Sequence, residues 1–266
     1  MSRLDAAFRD ARSANRAALI CYITAGDGGL RTTVEAACAL EDAGADVIEL
    51  GIPFSDPIAD GPTIQSSCQR SIAAGTTPGG VLEAVSLIRK RSSIPLVLMT
   101  YHNPVLRYGH ARFAADAAGA GVDGTIQTDL PPEEGESWLA ESRRCGLDTI
   151  FLAAPTTTEA RLERVLDVTT GFLYYVSRLG VTGSRTDLPA ELAEGVHRVR
   201  ARSVVPVGVG FGISTADHVR RIAMIADGAV VGSALVKLFA EAVSPADAVR
   251  CATTLTSSLA AATHRV

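Results

Sequence analysis

The sequence predicts an α/β fold, a single-domain (β/α)8 TIM barrel over residues 1–266 with an extra N-terminal helix. Three observations carry that prediction. Short Val/Ile/Leu-rich runs alternate with longer alanine-rich segments from end to end. The apolar runs are continuous rather than alternating, as parallel strands buried on both faces require. No Gly/Ser/Pro-rich linker or change of composition divides the chain. A doubly wound open sheet is the alternative, because periodicity does not reveal whether a sheet closes.

The elements follow in order. Leu4 and Phe8 share one face of a short helix, and Asp5 and Asp10 deny that segment the apolar core of a secretory signal. Strands are expected at 18–24 (ALICYIT), 46–50 (DVIEL), 95–101 (PLVLMTY) and 124–128 (GTIQT). Four more are expected at 148–154 (DTIFLAA), 172–177 (FLYYVS), 205–210 (VPVGVG) and 228–232 (GAVVG). Between the first two, residues 30–45 repeat apolar positions at helical spacing and reach Gly44, a C-terminal cap signal. Helical patterns recur at 62–74, 78–91, 109–120, 132–145, 157–167, 188–201 and 214–224, and the last helices begin after Ser233. Thr157 and Ser214 are read as N-terminal caps.

Composition excludes several classes. Apolar residues make up 47% and charged residues 20%, which supplies a substantial core and argues against disorder. A formal net charge of −4, with Arg89-Lys90-Arg91 as the one compact basic run, speaks against nucleic-acid binding. That run is read as a solvated helix end. Five cysteines without a C-x-x-C pair suit a reducing compartment, several of them as small buried apolar residues. No stretch approaches the ~18 apolar residues of a membrane span, so a soluble cytoplasmic protein is expected. The five histidines show no metal-ligand spacing, and no metal is predicted. Neither a Walker A sequence nor a nucleophile elbow occurs.

In a barrel, chemistry belongs at the strand C-termini and the loops that follow them. Glu49 closes the second strand and Asp60 lies in the next loop, within ELGIPFSDPIADG. Two carboxylates in unlike surroundings can divide acid and base work. Glu49, between Ile48 and Leu50, is the candidate for a raised pKa, and Asp60 for the ionised partner. Structurally, Glu49 could be an ion-pair partner, Asp60-Gly61 a turn, and Pro53 and Pro57 turn stiffeners. A second signal lies in VGVGFGIS (207–214) and DGAVVGSALVK (227–237), two glycine turns that each lead into a helix. Close-approaching amides and helix N-termini bind phosphate, although alternating glycines can also serve strand packing. SRLGVTGSRTD (177–187) adds a glycine-rich loop suited to a lid, with Arg178 and Arg185 as possible anion partners. The deduced ligand is a phosphorylated small molecule whose other end lies near Glu49 and Asp60. Asp129, in TDLPPEE (128–134), is a possible secondary site group.

Together, IELGIPFSDPIADGPTIQ, TDLPPEE, SRLGVTG, GFGIS and DGAVVGSALVK resemble the tryptophan synthase alpha subunit, in that family's order over nearly the full chain. The resemblance implies cleavage of indole-3-glycerol phosphate to indole and glyceraldehyde 3-phosphate with no cofactor in this chain. Pyridoxal phosphate is expected only in a beta-subunit partner, within an αββα assembly. It implies general acid/base work for Glu49, an indole-nitrogen contact for Asp60 and an active-site role for Tyr174. Gly183, Phe211, Gly212, Gly232 and Ser233 match phosphate-contact positions, and Thr182 the lid residue. Tyr22, Met99, Tyr101 and Thr128 match the indole pocket, while Pro53, Asp56 and Pro57 match the partner-facing loop. Cys21 and Gly28 stand where proline is frequent in the family, and Gln127-Thr128 replaces the apolar or proline residue before DLP. The alternatives are a stand-alone lyase that supplies free indole to specialised metabolism, or a non-catalytic scaffolding subunit.

Overall fold

A computed structural model describes residues 2–176, 190–210 and 212–265. Nine parallel strands form one sheet: β1 (Ala18–Thr24), β2 (Val47–Gly51), β3 (Leu96–Thr100), β4 (Gly124–Gln127), β5 (Asp148–Ile150), β6 (Leu152–Ala153), β7 (Leu173–Val176), β8 (Val207–Gly210) and β9 (Gly228–Val231). Their order is β5-β4-β3-β2-β1-β9-β8-β7-β6, so every strand except β5 pairs with its successor and β1 pairs with β9. The order never reverses as it does in a doubly wound sheet, and the open-sheet alternative falls. Eight predicted runs become nine strands because Phe151 interrupts the fifth. β5 pairs only with β4, and β6 only with β7, so the chain itself closes the ring through that one residue.

Helices cover the outside, and the N-terminal helix Arg3–Ser13 stoppers the N-terminal end of the barrel. Its Leu4, Phe8 and Ala11 pack inside the ring with Ile20, Val47, Val97, Ile126, Ile150, Phe172 and Val230. Phe8 stacks 5.5 Å from Phe172. Gly228 makes room for it, since a Cβ there would lie 3.1 Å from the Phe8 ring. Gly208 does the same for Phe172 and Ile20.

The same end is tied by a repeated polar device. Asp46, Asp123 and Asp227 each stand at the foot of a strand and accept an amide from the start of a neighbouring strand, from Leu19, Leu96 and Val207 respectively. Each also holds arginine: Arg16 on Asp46, Arg3 and Arg89 on Asp123, and Arg12 and Arg200 on Asp227. Arg89 is thereby corrected from a solvated helix end to a half-buried clamp. Its guanidinium also donates to the carbonyls of Gly121 and Ile94, while Lys90 and Arg91 stay exposed.

Local signals need four further corrections. The cap of Ala216–Ile225 is Thr215, not Ser214, and that of Glu159–Val168 is Thr158, not Thr157, whose hydroxyl accepts the Ala154 amide instead. The expected helix at 132–145 splits at Gly135 into a 3-10 turn, Pro132–Glu134, and the helix Glu136–Cys145. A helix at His102–Tyr108 has no counterpart in the apolar pattern. Its first amide is accepted by Asp129, whose carboxylate caps the helix end.

Phe8→Ala should empty the base of the barrel and lower the unfolding free energy by about 3–5 kcal/mol. Urea denaturation with an unchanged m-value checks this; a loss within experimental error would show that the helix is not a stopper.

Candidate active site

The period-two alternation of the strands sends Tyr22 and Glu49 into the barrel as register partners on β1 and β2. Glu49 is 1% exposed, and neither carboxylate oxygen has a hydrogen-bond partner among the described residues. Burial, with the Asp60 charge second, pushes its pKa up to about 8. A bare carboxylate in such surroundings is costly, so the group keeps its proton at neutral pH.

Asp60 reaches the same space from the β2 loop. Tyr101 Oη donates to Asp60 Oδ2 at 2.9 Å and accepts the Ala59 amide at 2.9 Å. Phe54 stacks on the Tyr101 ring at 5.2 Å. Burial raises the Asp60 pKa, and the Tyr101 hydrogen bond opposes it. Asp60 was expected to be simply the ionised partner; burial moves it the same way as Glu49. The Asp60 charge adds to the upward shift of Glu49. Tyr174, on β7, is buried at the same level, and burial followed by the Glu49 and Asp60 charges pushes its hydroxyl well up.

Two tyrosines fit because two glycines lack side chains. A Cβ at Gly51 would lie 2.1 Å from Tyr22 Oη, and one at Gly210 would lie 2.1 Å from Tyr174 Oη. Gly208 and Gly210 therefore serve the interior, the strand-packing role that alternating glycines can take. Gly212, at φ +77°, and Gly232, leading into the helix Ser233–Glu241, remain at the mouth on neighbouring strands β8 and β9. The first amides of that helix lack intrahelical acceptors, which suits an anion. Gly183, Thr182 and Phe211 lie outside the described residues, as do Arg178 and Arg185.

The pocket wall is assembled from distant strands. Met99 packs against Tyr22 and also against the interior cluster. Thr128 is half-buried and donates to the Thr100 carbonyl at 3.3 Å. Of the outer-loop residues, Asp56 is exposed, whereas Pro53 and Pro57 are buried within the chain. Ile58 between them and Asp60 is 85% exposed. Cys21 faces away from the mouth toward Thr256, and Gln127 meets His102 Nδ1 at 2.7 Å behind Tyr101. Gly28 adopts φ +83°, which proline cannot take, so its loop follows a glycine-specific path. The pattern gave no sign of Thr24 and Ser67, which are linked to Tyr22 through hydroxyls; the alternation that turns Tyr22 inward also turns Thr24 inward.

Comparison with known proteins decides the family. A family model described as tryptophan synthase alpha chain matches residues 8–264. The chain belongs to the tryptophan synthase alpha chain family. It is 52% identical to the tryptophan synthase alpha chain of Geotalea uraniireducens (strain Rf4) over 91% of this chain and 90% of that one. The crystal structure of tryptophan synthase subunit alpha from Legionella pneumophila str. Paris superposes with a TM-score of 0.92 at 39% identity, covering 98% of each chain. The structure of Mycobacterium tuberculosis tryptophan synthase matches at 0.90 and 42%, covering 100% and 99%. As a tryptophan synthase alpha chain, the protein is a carbon-carbon lyase of tryptophan biosynthesis that cleaves indole-3-glycerol phosphate. The stand-alone and scaffolding alternatives are not favoured by these matches.

The buried acid has a measurable signature. Between the ordinary glutamate value of 4.5 and about 8, the folded chain holds a proton that the unfolded chain has released. Stability therefore falls as pH rises across that window. Glu49→Gln removes this loss, so its melting temperature should exceed the parent's by a margin that grows from pH 5 to pH 8. A margin independent of pH would refute the assignment.

Proposed function

We propose that Glu49 is the proton-transfer group of the lyase, and that its burial on β2 with no hydrogen-bond partner among the described residues is the observation that carries this role. The protonated carboxyl delivers its proton to indole C3, which makes the ring an electron sink. The bond from C3 to the first chain carbon then breaks, and its electron pair returns to the ring. The hydroxyl on that carbon becomes the aldehyde carbonyl, and its proton passes to the Glu49 carboxylate. One proton is given and one regained, so a single group serves as acid and then as base.

Asp60 accepts the indole N–H, where positive charge develops, while Tyr101 holds the carboxylate from the other side. Tyr174 closes the pocket opposite Glu49. Gly212, Gly232 and Ser233 hold the phosphate, joined by Gly183 and Phe211, and Thr182 belongs to the closing lid. Tyr22, Met99, Tyr101 and Thr128 bound the indole. Fixing the phosphate and the ring at two ends aligns C3 with the acid, which is the main advantage over free solution. No metal or organic cofactor takes part in these steps.

The chain acts as one domain of residues 1–266 in the cytoplasm, paired with a pyridoxal-phosphate-bearing beta subunit in an αββα assembly that receives the indole. Asp56 and the exposed Ile58 face that partner, and buried Pro53 and Pro57 fix the shape of the loop that carries them. No described helix is long and apolar enough to cross a membrane.

Steady-state indole formation from indole-3-glycerol phosphate, with and without a beta subunit, tests this reading. Marked stimulation by the beta subunit is expected, and no indole in either case would sink it. Glu49→Gln should abolish turnover while phosphate-anchored ligand binding survives. Turnover of the parent should decline as pH rises through about 8, where Glu49 loses its proton; a flat profile there would remove Glu49 as the acid.

A further inference from the structure

The hydroxyl of Tyr22 has a direction that its neighbours fix. Tyr22 Oη lies 3.3 Å from Thr24 Oγ1, which lies 2.6 Å from Ser67 Oγ. Ser67 in turn donates to the Ile64 carbonyl at 2.7 Å. A carbonyl only accepts, so the single Ser67 hydrogen goes to Ile64. The Thr24 hydrogen must then go to Ser67, and the Tyr22 hydrogen to Thr24. All three residues are buried, Ser67 completely, so water does not re-sort the chain of hydroxyls. The Tyr22 oxygen is left with lone pairs to offer to the pocket and no hydrogen.

Its position is equally specific. The Tyr22 Cβ and ring edge lie where a Cβ on Gly232 would meet them at 3.4 Å, and its hydroxyl lies over Gly51. The side chain thus spans from the phosphate turn after β9 to the strand of Glu49, where its hydroxyl lies two register positions beyond that acid. Indole-3-glycerol phosphate has three donors other than its phosphate: the indole N–H and two chain hydroxyls. With Asp60 on the N–H and Glu49 on the hydroxyl next to the ring, one hydroxyl is left, on the carbon nearer the phosphate.

We propose that Tyr22 is a substrate-positioning residue whose oxygen accepts a hydrogen bond from that second chain hydroxyl, and that Thr24 and Ser67 hold it as an acceptor. This rests on the function proposed above, and it adds the recognition of a group that takes no part in bond breaking. The relay makes the site selective for a hydroxylated chain.

Kinetics with the beta subunit present, together with binding of 3-(indol-3-yl)propyl phosphate, which lacks both hydroxyls, test the relay. Tyr22→Phe should raise KM for indole-3-glycerol phosphate about 3- to 10-fold, the effect of one hydrogen bond, with kcat nearly unchanged. Affinity for the deoxygenated analogue should stay at the parental value. Thr24→Val should raise KM by less than Tyr22→Phe does, because the freed Tyr22 hydrogen can be donated to the same hydroxyl, and Thr24→Ser should keep the parental KM. The Tyr22→Phe/Thr24→Val pair should be no worse than Tyr22→Phe alone. Parental KM in Tyr22→Phe, equal weakening of substrate and analogue, or additive effects in the pair would each overturn the relay. Absence of indole from the parent chain would instead sink the proposed function itself.

Discussion

A carboxyl group with no partner among the described residues, inside an apolar ring, constrains everything around it. Glu49 cannot be stabilised as an anion by any described neighbour, so the fold holds it as an acid. Had an arginine stood near it, as Arg89 stands on Asp123 at the other end, the group would be a structural anion. The distinction between a clamp and a catalyst is made here by what is missing around the side chain. Asp60 completes the contrast, since it approaches from a loop and keeps a hydrogen bond from Tyr101 that opposes the upward pull of burial.

Such an acid is useful only if the pocket around it keeps its shape, and the shape comes from paired large and small residues. Tyr22 over Gly51 and Tyr174 over Gly210 place two hydroxyls at the mouth without widening the ring. Phe8 against Gly228 fills the base in the same way. Interior volume is thus distributed by glycines on one strand answering aromatics on another, and a methyl group at Gly51 or Gly210 would force a tyrosine out of its place.

Much of this was legible in the residues. Continuous apolar runs located all the strands, because burial on both faces leaves no polar alternation to confuse with a helix. Glu49 stood out through its apolar flanks. The Tyr101 contact to Asp60 did not, since 41 residues separate them and only the barrel joins β3 to the β2 loop. For Gly208 and Gly210 the residues left strand packing and anion approach both open, because a strand pattern does not reveal what a missing side chain makes room for. The helix His102–Tyr108 escaped notice because it is short, carries Pro104 in its first turn and buries only Val105. Caps slipped by one residue where Thr157 and Thr158, or Ser214 and Thr215, offered the same hydroxyl twice.

The aspartate feet at the closed end have a consequence for the opposite end. Asp46, Asp123 and Asp227 bind strand to strand and arginine to strand without touching the pocket. The barrel is held shut by groups that never meet the substrate, and the mouth is relieved of that duty. Pocket residues are free to be poor at holding the protein together, and that freedom is what lets an unpaired acid persist among them.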